Sequence, residues 1–60
     1  MIYYIRHLET GLYLGKNGYF VQFDERLCYT NTRACYKEIA WYGLGDSVEI
    51  IEDGHEIDCA

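Results

Sequence analysis

Apolar and polar positions change period several times along this chain. Residues 2–8, Ile-Tyr-Tyr-Ile-Arg-His-Leu, are mostly strong strand formers and predict a first strand. Glu9-Thr10-Gly11 predicts a turn, with Gly11 at the left-handed position of a three-residue hairpin loop. Residues 12–15 predict a second strand and residues 19–23 a third, joined by Asn17-Gly18, a type I′ turn signal. With Asn17 and Gly18 as the two loop residues, Lys16 faces Tyr19, Leu14 faces Val21 and Leu12 faces Phe23. Tyr13 then faces Gln22, and Gly15 faces Phe20, on the opposite side. Leu12, Leu14, Val21 and Phe23 form the expected core face. Both faces of the first strand, Ile2/Tyr4/Leu8 and Tyr3/Ile5/His7, are mixed, so the pattern leaves its orientation open.

Asp24-Glu25-Arg26 interrupts the alternation, and Leu27-Cys28-Tyr29 returns briefly to extended, apolar character. Thr30-Asn31-Thr32 offers three helix-capping residues in a row. The helix is expected over residues 31–42, stopping at Gly43 in the left-handed position with Leu44 as the apolar residue after it. At helical spacing Cys35, Ile39 and Tyr42 share a stripe flanked by Tyr36 and Thr32, which predicts the face that packs on the sheet. Arg33 and Lys37 point away, and Trp41 falls nearer to them than to the stripe. Asp53-Gly54 is a second hairpin signal. As a two-residue loop it places Val48, Ile50, Ile57 and Cys59 on one face and Glu49, Ile51, Glu56 and Asp58 on the other. The expected architecture is one compact α+β domain over residues 1–60. An antiparallel β-meander (1–23) is followed by one helix packed on the sheet (31–43) and an acidic C-terminal strand or hairpin (47–59).

Size sharpens this picture. A chain of 60 residues buries only about 60% of its unfolded surface and gains from a staple, good packing or a second subunit. Half of the residues are hydrophobic, including seven Tyr, two Phe and one Trp, which supplies a core and excludes intrinsic disorder. Cys28, Cys35 and Cys59 are odd in number and lack C-x-x-C spacing. The expectation is three reduced, mostly buried thiols, with one disulfide or a Cys59-linked dimer as the alternative in an oxidising compartment. Met1 to His7 lacks a basic region followed by an apolar run, and no segment has the length of a membrane span. A cytoplasmic protein without membrane association is the expectation.

The charge is uneven. Residues 46–58 hold Asp46, Glu49, Glu52, Asp53, Glu56 and Asp58 and no Lys or Arg, so the formal charge of −5 is a property of the C-terminal quarter. Glu49, Glu52, Asp53, Glu56 and Asp58 are the candidate residues for meeting a basic partner, which such a surface would steer into encounter. The competing reading is a solvated edge that resists aggregation. Five scattered basic residues argue against direct nucleic-acid binding. Tyr13, Phe20 and Trp41 are the candidates for an aromatic partner or dimer surface, because one helix cannot cover both faces of a sheet. The alternative is that the sheet curls or the tail folds over them. Asp53, His55, Glu56 and Asp58 lack the spaced carboxylates of a calcium loop, so no metal or other cofactor is expected. His7, His55, Cys28 and Cys35 form no fixed nucleophile–base pair, so no catalytic residue is assigned and a non-enzymatic protein is expected.

The order Tyr-Ile-Arg, Glu-Thr-Gly-Leu-Tyr-Leu, Gly-Tyr-Phe, a Thr-capped helix and Val-Glu-Ile-Ile-Glu, over residues 3–52, resembles small acidic phage and prophage accessory proteins. That resemblance implies an anti-CRISPR or other anti-defence inhibitor that binds a host complex, such as a CRISPR effector, at its basic nucleic-acid site. A self-associating adaptor with an aromatic dimer interface is the alternative.

Overall fold

The computed structural model describes residues 1–54. The return strand expected after Asp53-Gly54, with Glu56 and Asp58, lies outside the described residues. Four strands, β1 (Ile2–His7), β2 (Tyr13–Leu14), β3 (Phe20–Val21) and β4 (Val48–Asp53), form one antiparallel sheet in the order β3-β2-β1-β4. One helix, α1 (Thr32–Trp41), packs on it. The domain is α+β, with the meander and C-terminal strand that the sequence predicts. Among the described residues no helix is long and apolar enough to cross a membrane.

α1 begins and ends on local chemistry. The Asn31 side chain accepts the Ala34 N–H at 2.9 Å, satisfying one of the donors left open by the first turn. At the other end Gly43 takes φ +65°, Leu44 N–H donates to the Ile39 carbonyl at 2.9 Å, and Gly43 N–H donates to that of Ala40 at 3.3 Å. These two bonds are a Schellman motif. Its apolar clasp is supplied by Leu44 and Ile39, both of which pack against the core.

That core consists of Ile5, Leu14, Cys35 and Val48, with Tyr3, Phe20, Tyr29, Ile39, Leu44 and Ile50 around it. β1 is thereby oriented: Tyr3 and Ile5 look toward α1, while Tyr4 and Arg6 look away. The predicted helical stripe holds at Cys35 and Ile39 and fails at Tyr42, which is 38% exposed. The Tyr42 ring instead lies on the loop between β2 and β3, where a Cβ on Gly18 would stand 2.6 Å from it.

This contact accompanies a change of register. Tyr13 pairs with Val21 and Leu14 with Phe20, one residue away from the pairing expected of a two-residue turn. Gly15 N–H donates to the Tyr19 carbonyl at 2.7 Å, so Lys16, Asn17 and Gly18 form a three-residue loop, with Asn17 and Gly18 both at positive φ. A slip of one residue exchanges the faces of a strand. Val21 and Phe23 therefore do not share the core face with Leu14: Val21 sits beside Tyr13 on the far side, and Phe23 is 48% exposed.

The far face of the sheet has its own small cover. After β3 the chain turns back beneath the sheet, and Arg26 is 3% exposed there. Its guanidinium carbon lies 3.7 Å from the Phe23 ring centroid and 4.7 Å from that of Tyr4. Tyr4, Tyr13 and Phe23 meet edge to face at centroid distances of 5.3 to 5.9 Å. Arg26 Nη1 donates to the Phe23 carbonyl at 2.7 Å, whereas Nε is buried without a hydrogen-bond partner. The chain then rises beside β1, where Tyr29 and Tyr3 exchange backbone hydrogen bonds at 2.7 and 2.8 Å. The brief extended segment at 27–29 is thus a bridge to the sheet.

The thiol expectation needs correction. Cys28 is disulfide-bonded, and Cys35 is a free, fully buried thiol. An odd count of cysteines leaves room for one bond, and a domain of this size gains from such a staple.

Candidate interaction site

Among the described residues β4 lies at one edge of the sheet, paired to β1 from Ile2↔Asp53 through His7↔Val48. Leu8 N–H donates to the Ser47 carbonyl at 2.9 Å. In an antiparallel ladder hydrogen-bonded pairs recur every second residue, so Glu49, Ile51 and Asp53 turn their backbone groups toward β1. Val48, Ile50 and Glu52 turn theirs outward. The side chains alternate the other way. Val48 and Ile50 lie on the α1 side with Glu52, and Glu49 and Asp53 lie on the far side. The expected acidic face is therefore an acidic edge, flanked by carboxylates on both sides.

Each carboxylate has a distinct environment. Glu49 sits opposite Arg6 and accepts from its Nη1 at 2.8 Å, with both side chains partly exposed. That hydrogen bond raises the Arg6 pKa further, against the opposing effect of burial. Glu52 is exposed and accepts from the Tyr3 hydroxyl at 3.2 Å; desolvation, then that bond, raises the Tyr3 pKa. Asp53 accepts from the Tyr4 hydroxyl at 3.5 Å, and burial followed by the Asp53 charge raises the Tyr4 pKa while Arg26 lowers it.

Beside this edge runs a groove of about 510 Å³ between α1 and β4, lined by Tyr36, Ile39, Gly45, Asp46, Val48, Glu49 and Ile50. Tyr36 is 64% exposed at its rim. Asp46 enters it from the short helical turn Gly45–Ser47 that leads into β4. Sequence reasoning missed this groove. Its signal was the 36/39 spacing on α1 together with the 48/50 alternation, which the sheet order brings side by side. A smaller recess of about 360 Å³ lies on α1 among Lys37, Glu38, Trp41 and Tyr42.

The aromatic candidates do not come together. Phe20 faces α1 and packs on the core, its ring centroid 4.8 Å from that of His7. Tyr13 is half-buried on the opposite face against Tyr4 and Phe23. The expected exposed pair fails because the register slip separates the two faces and the segment bearing Phe23 and Arg26 covers one of them. Trp41 remains 79% exposed.

Of the groups considered for chemistry, His55 lies outside the described residues, and His7, Cys28 and Cys35 have structural roles. His7 Nδ1 accepts the Thr10 N–H at 3.3 Å. Burial pushes the Cys35 thiol up to about 11, which keeps it protonated and poorly nucleophilic at neutral pH. Burial, with the Glu38 charge second, pushes the Tyr29 hydroxyl up to about 12. Among the described residues no three His, Cys, Asp or Glu side chains gather as a metal site. No family model, curated protein or solved structure matches this chain.

Proposed function

We infer that this chain is a non-enzymatic binding protein whose acidic β4 edge occupies a basic surface of a partner protein. The observation that carries this reading is the place of β4 at the sheet edge among the described residues, within a stretch, from Glu38 to Gly54, that contains no Lys or Arg. In that strand Glu49 faces the Arg6 guanidinium. Such a surface raises the encounter rate with a cationic site. The partner class is a protein that binds nucleic acid, and the finer identification is a phage-encoded inhibitor of a host defence complex such as a CRISPR effector. That identification is supported by the resemblance over residues 3–52. The site of action is then the host cytoplasm, where the Cys28 bond would have to withstand reducing conditions.

Displacement of a labelled DNA duplex from basic nucleic-acid-binding proteins, CRISPR effectors among them, tests this reading. The chain displaces the duplex from its partner, and an Asp46→Lys, Glu52→Lys variant with an unchanged circular dichroism spectrum does not. Full displacement by the variant would refute the acidic-edge reading. Glu49 is a poor choice for this test, because its reversal also strands Arg6.

A self-associating module remains the second reading, favoured by the exposure of Trp41. Sedimentation of a monomer at high micromolar concentration removes it.

A further inference from the structure

We propose that β4 receives an extended, lysine- or arginine-rich segment of the partner as a fifth strand, with alternate apolar side chains of that segment seated between α1 and β4. This rests on the binding function inferred above and specifies how the partner is held.

Three observations converge on the same edge. The N–H and C=O groups of Val48, Ile50 and Glu52 point away from β1 and offer an incoming strand its ladder. A strand added there runs about 4.8 Å from β4, and every second side chain falls toward Tyr36, Ile39, Val48 and Ile50. The groove therefore fits alternating apolar residues. The intervening side chains of the newcomer fall on the Glu49 and Asp53 side, and its ends reach Asp46 and Glu52.

Charge selects the occupant. A second copy pairing through β4 would bring Glu49, Glu52 and Asp53 of both chains onto one short ladder, and like charges across strands destabilise it. Edge strands are commonly blunted by charge, especially Lys, which repels other edges of the same kind. Acidic residues do the same here against a copy while attracting a cationic strand.

The test uses the full chain, labelled with nitrogen-15, and three blocked hexapeptides. One alternates valine and lysine, one alternates valine and glutamate, and one has three lysines followed by three valines. The alternating valine–lysine peptide is expected to shift the amides of Val48, Ile50 and Glu52 and to slow their hydrogen exchange at least about tenfold. The glutamate peptide leaves them unchanged, and the blocked lysine–valine peptide binds more weakly. The Asp46→Lys, Glu52→Lys variant loses about tenfold in affinity at low salt. If basic peptides bind while these three amides keep their exchange rates, strand addition is overturned and the acidic-surface reading stands. If no basic peptide binds and the variant still displaces DNA from its partner, that reading falls as well. Protection already present in the dilute free chain, or appearing only as the chain is concentrated, also overturns the proposal. In those cases the edge is filled by the chain itself or by a second copy.

Discussion

Arg26 is a buried cation without a carboxylate partner among the described residues, which makes its stacking measurable. Its guanidinium lies 3.7 Å from the Phe23 centroid and 4.7 Å from that of Tyr4, and it donates one hydrogen bond to the Phe23 carbonyl. A desolvated cation–π contact contributes about 2 kcal/mol, and a hydrogen bond from a charged donor about 1.5–3 kcal/mol. Against these stand the desolvation of the charge and the buried Nε, whose missing partner costs about 1–3 kcal/mol. Arg26→Met removes both sides of this balance and is expected to stay within about 1 kcal/mol of the parent. Arg26→Lys keeps a charge but lacks the planar group that spans both rings, and is expected to lose about 2 kcal/mol. In a double-mutant cycle with Phe23→Leu, Arg26 and Phe23 should couple by about 1–2 kcal/mol, or roughly 4–16 °C in melting temperature. Urea unfolding followed by far-ultraviolet circular dichroism is the suitable assay, since Trp41 is 79% exposed and its fluorescence reports little of folding. A Lys variant as stable as the parent, or a coupling below about 0.3 kcal/mol, would refute the stacking account.

Gly18→Ala places a Cβ 2.6 Å from the Tyr42 ring at a φ of +81°, and a loss of more than about 1 kcal/mol in urea unfolding is expected, part of it recovered by Tyr42→Leu. Asn31→Ala removes the cap on Ala34 and should cost about 1 kcal/mol, with faster exchange of the Ala34 amide as its local signature. Cys35 and Tyr29 bind their protons more tightly folded than unfolded. Their contribution is complete below pH 9 and is lost as pH rises, from 9 to about 11 for Cys35 and from 10 to about 12 for Tyr29. A stability profile flat across that range would contradict the burial of both groups. The native protein should also leave Cys35 unlabelled by a thiol reagent at pH 8 until denaturant is added.

The helix was legible in the sequence almost to the residue, because caps are local: Asn31 and the Gly43-Leu44 pair each act within a turn of their own position. The alternation of β4 was legible for the same reason. Register was not. Asn17-Gly18 suits a two-residue turn locally, but the loop is also held by Tyr42, twenty-four residues away, and no short-range pattern contains that contact. The covering of the far face was equally hidden. Asp24-Glu25-Arg26 reads as a solvated break, yet Arg26 is buried because Phe23 and Tyr4 supply aromatic faces in place of a counter-ion. The acidic candidates were found as a composition, and only the place of β4 beside β1 turned Glu49, Glu52 and Asp53 into an edge.

β1 belongs to both sides of this small protein. Ile5 closes the layer beneath α1, and its neighbour Tyr4 closes the layer built by Phe23 and Arg26. Neither layer can open at β1 without exposing the other. The two should therefore unfold as one cooperative unit, with the inner amides of β1 exchanging only when the whole domain does. A peptide captured at the far edge of β4 would then stabilise residues it never touches.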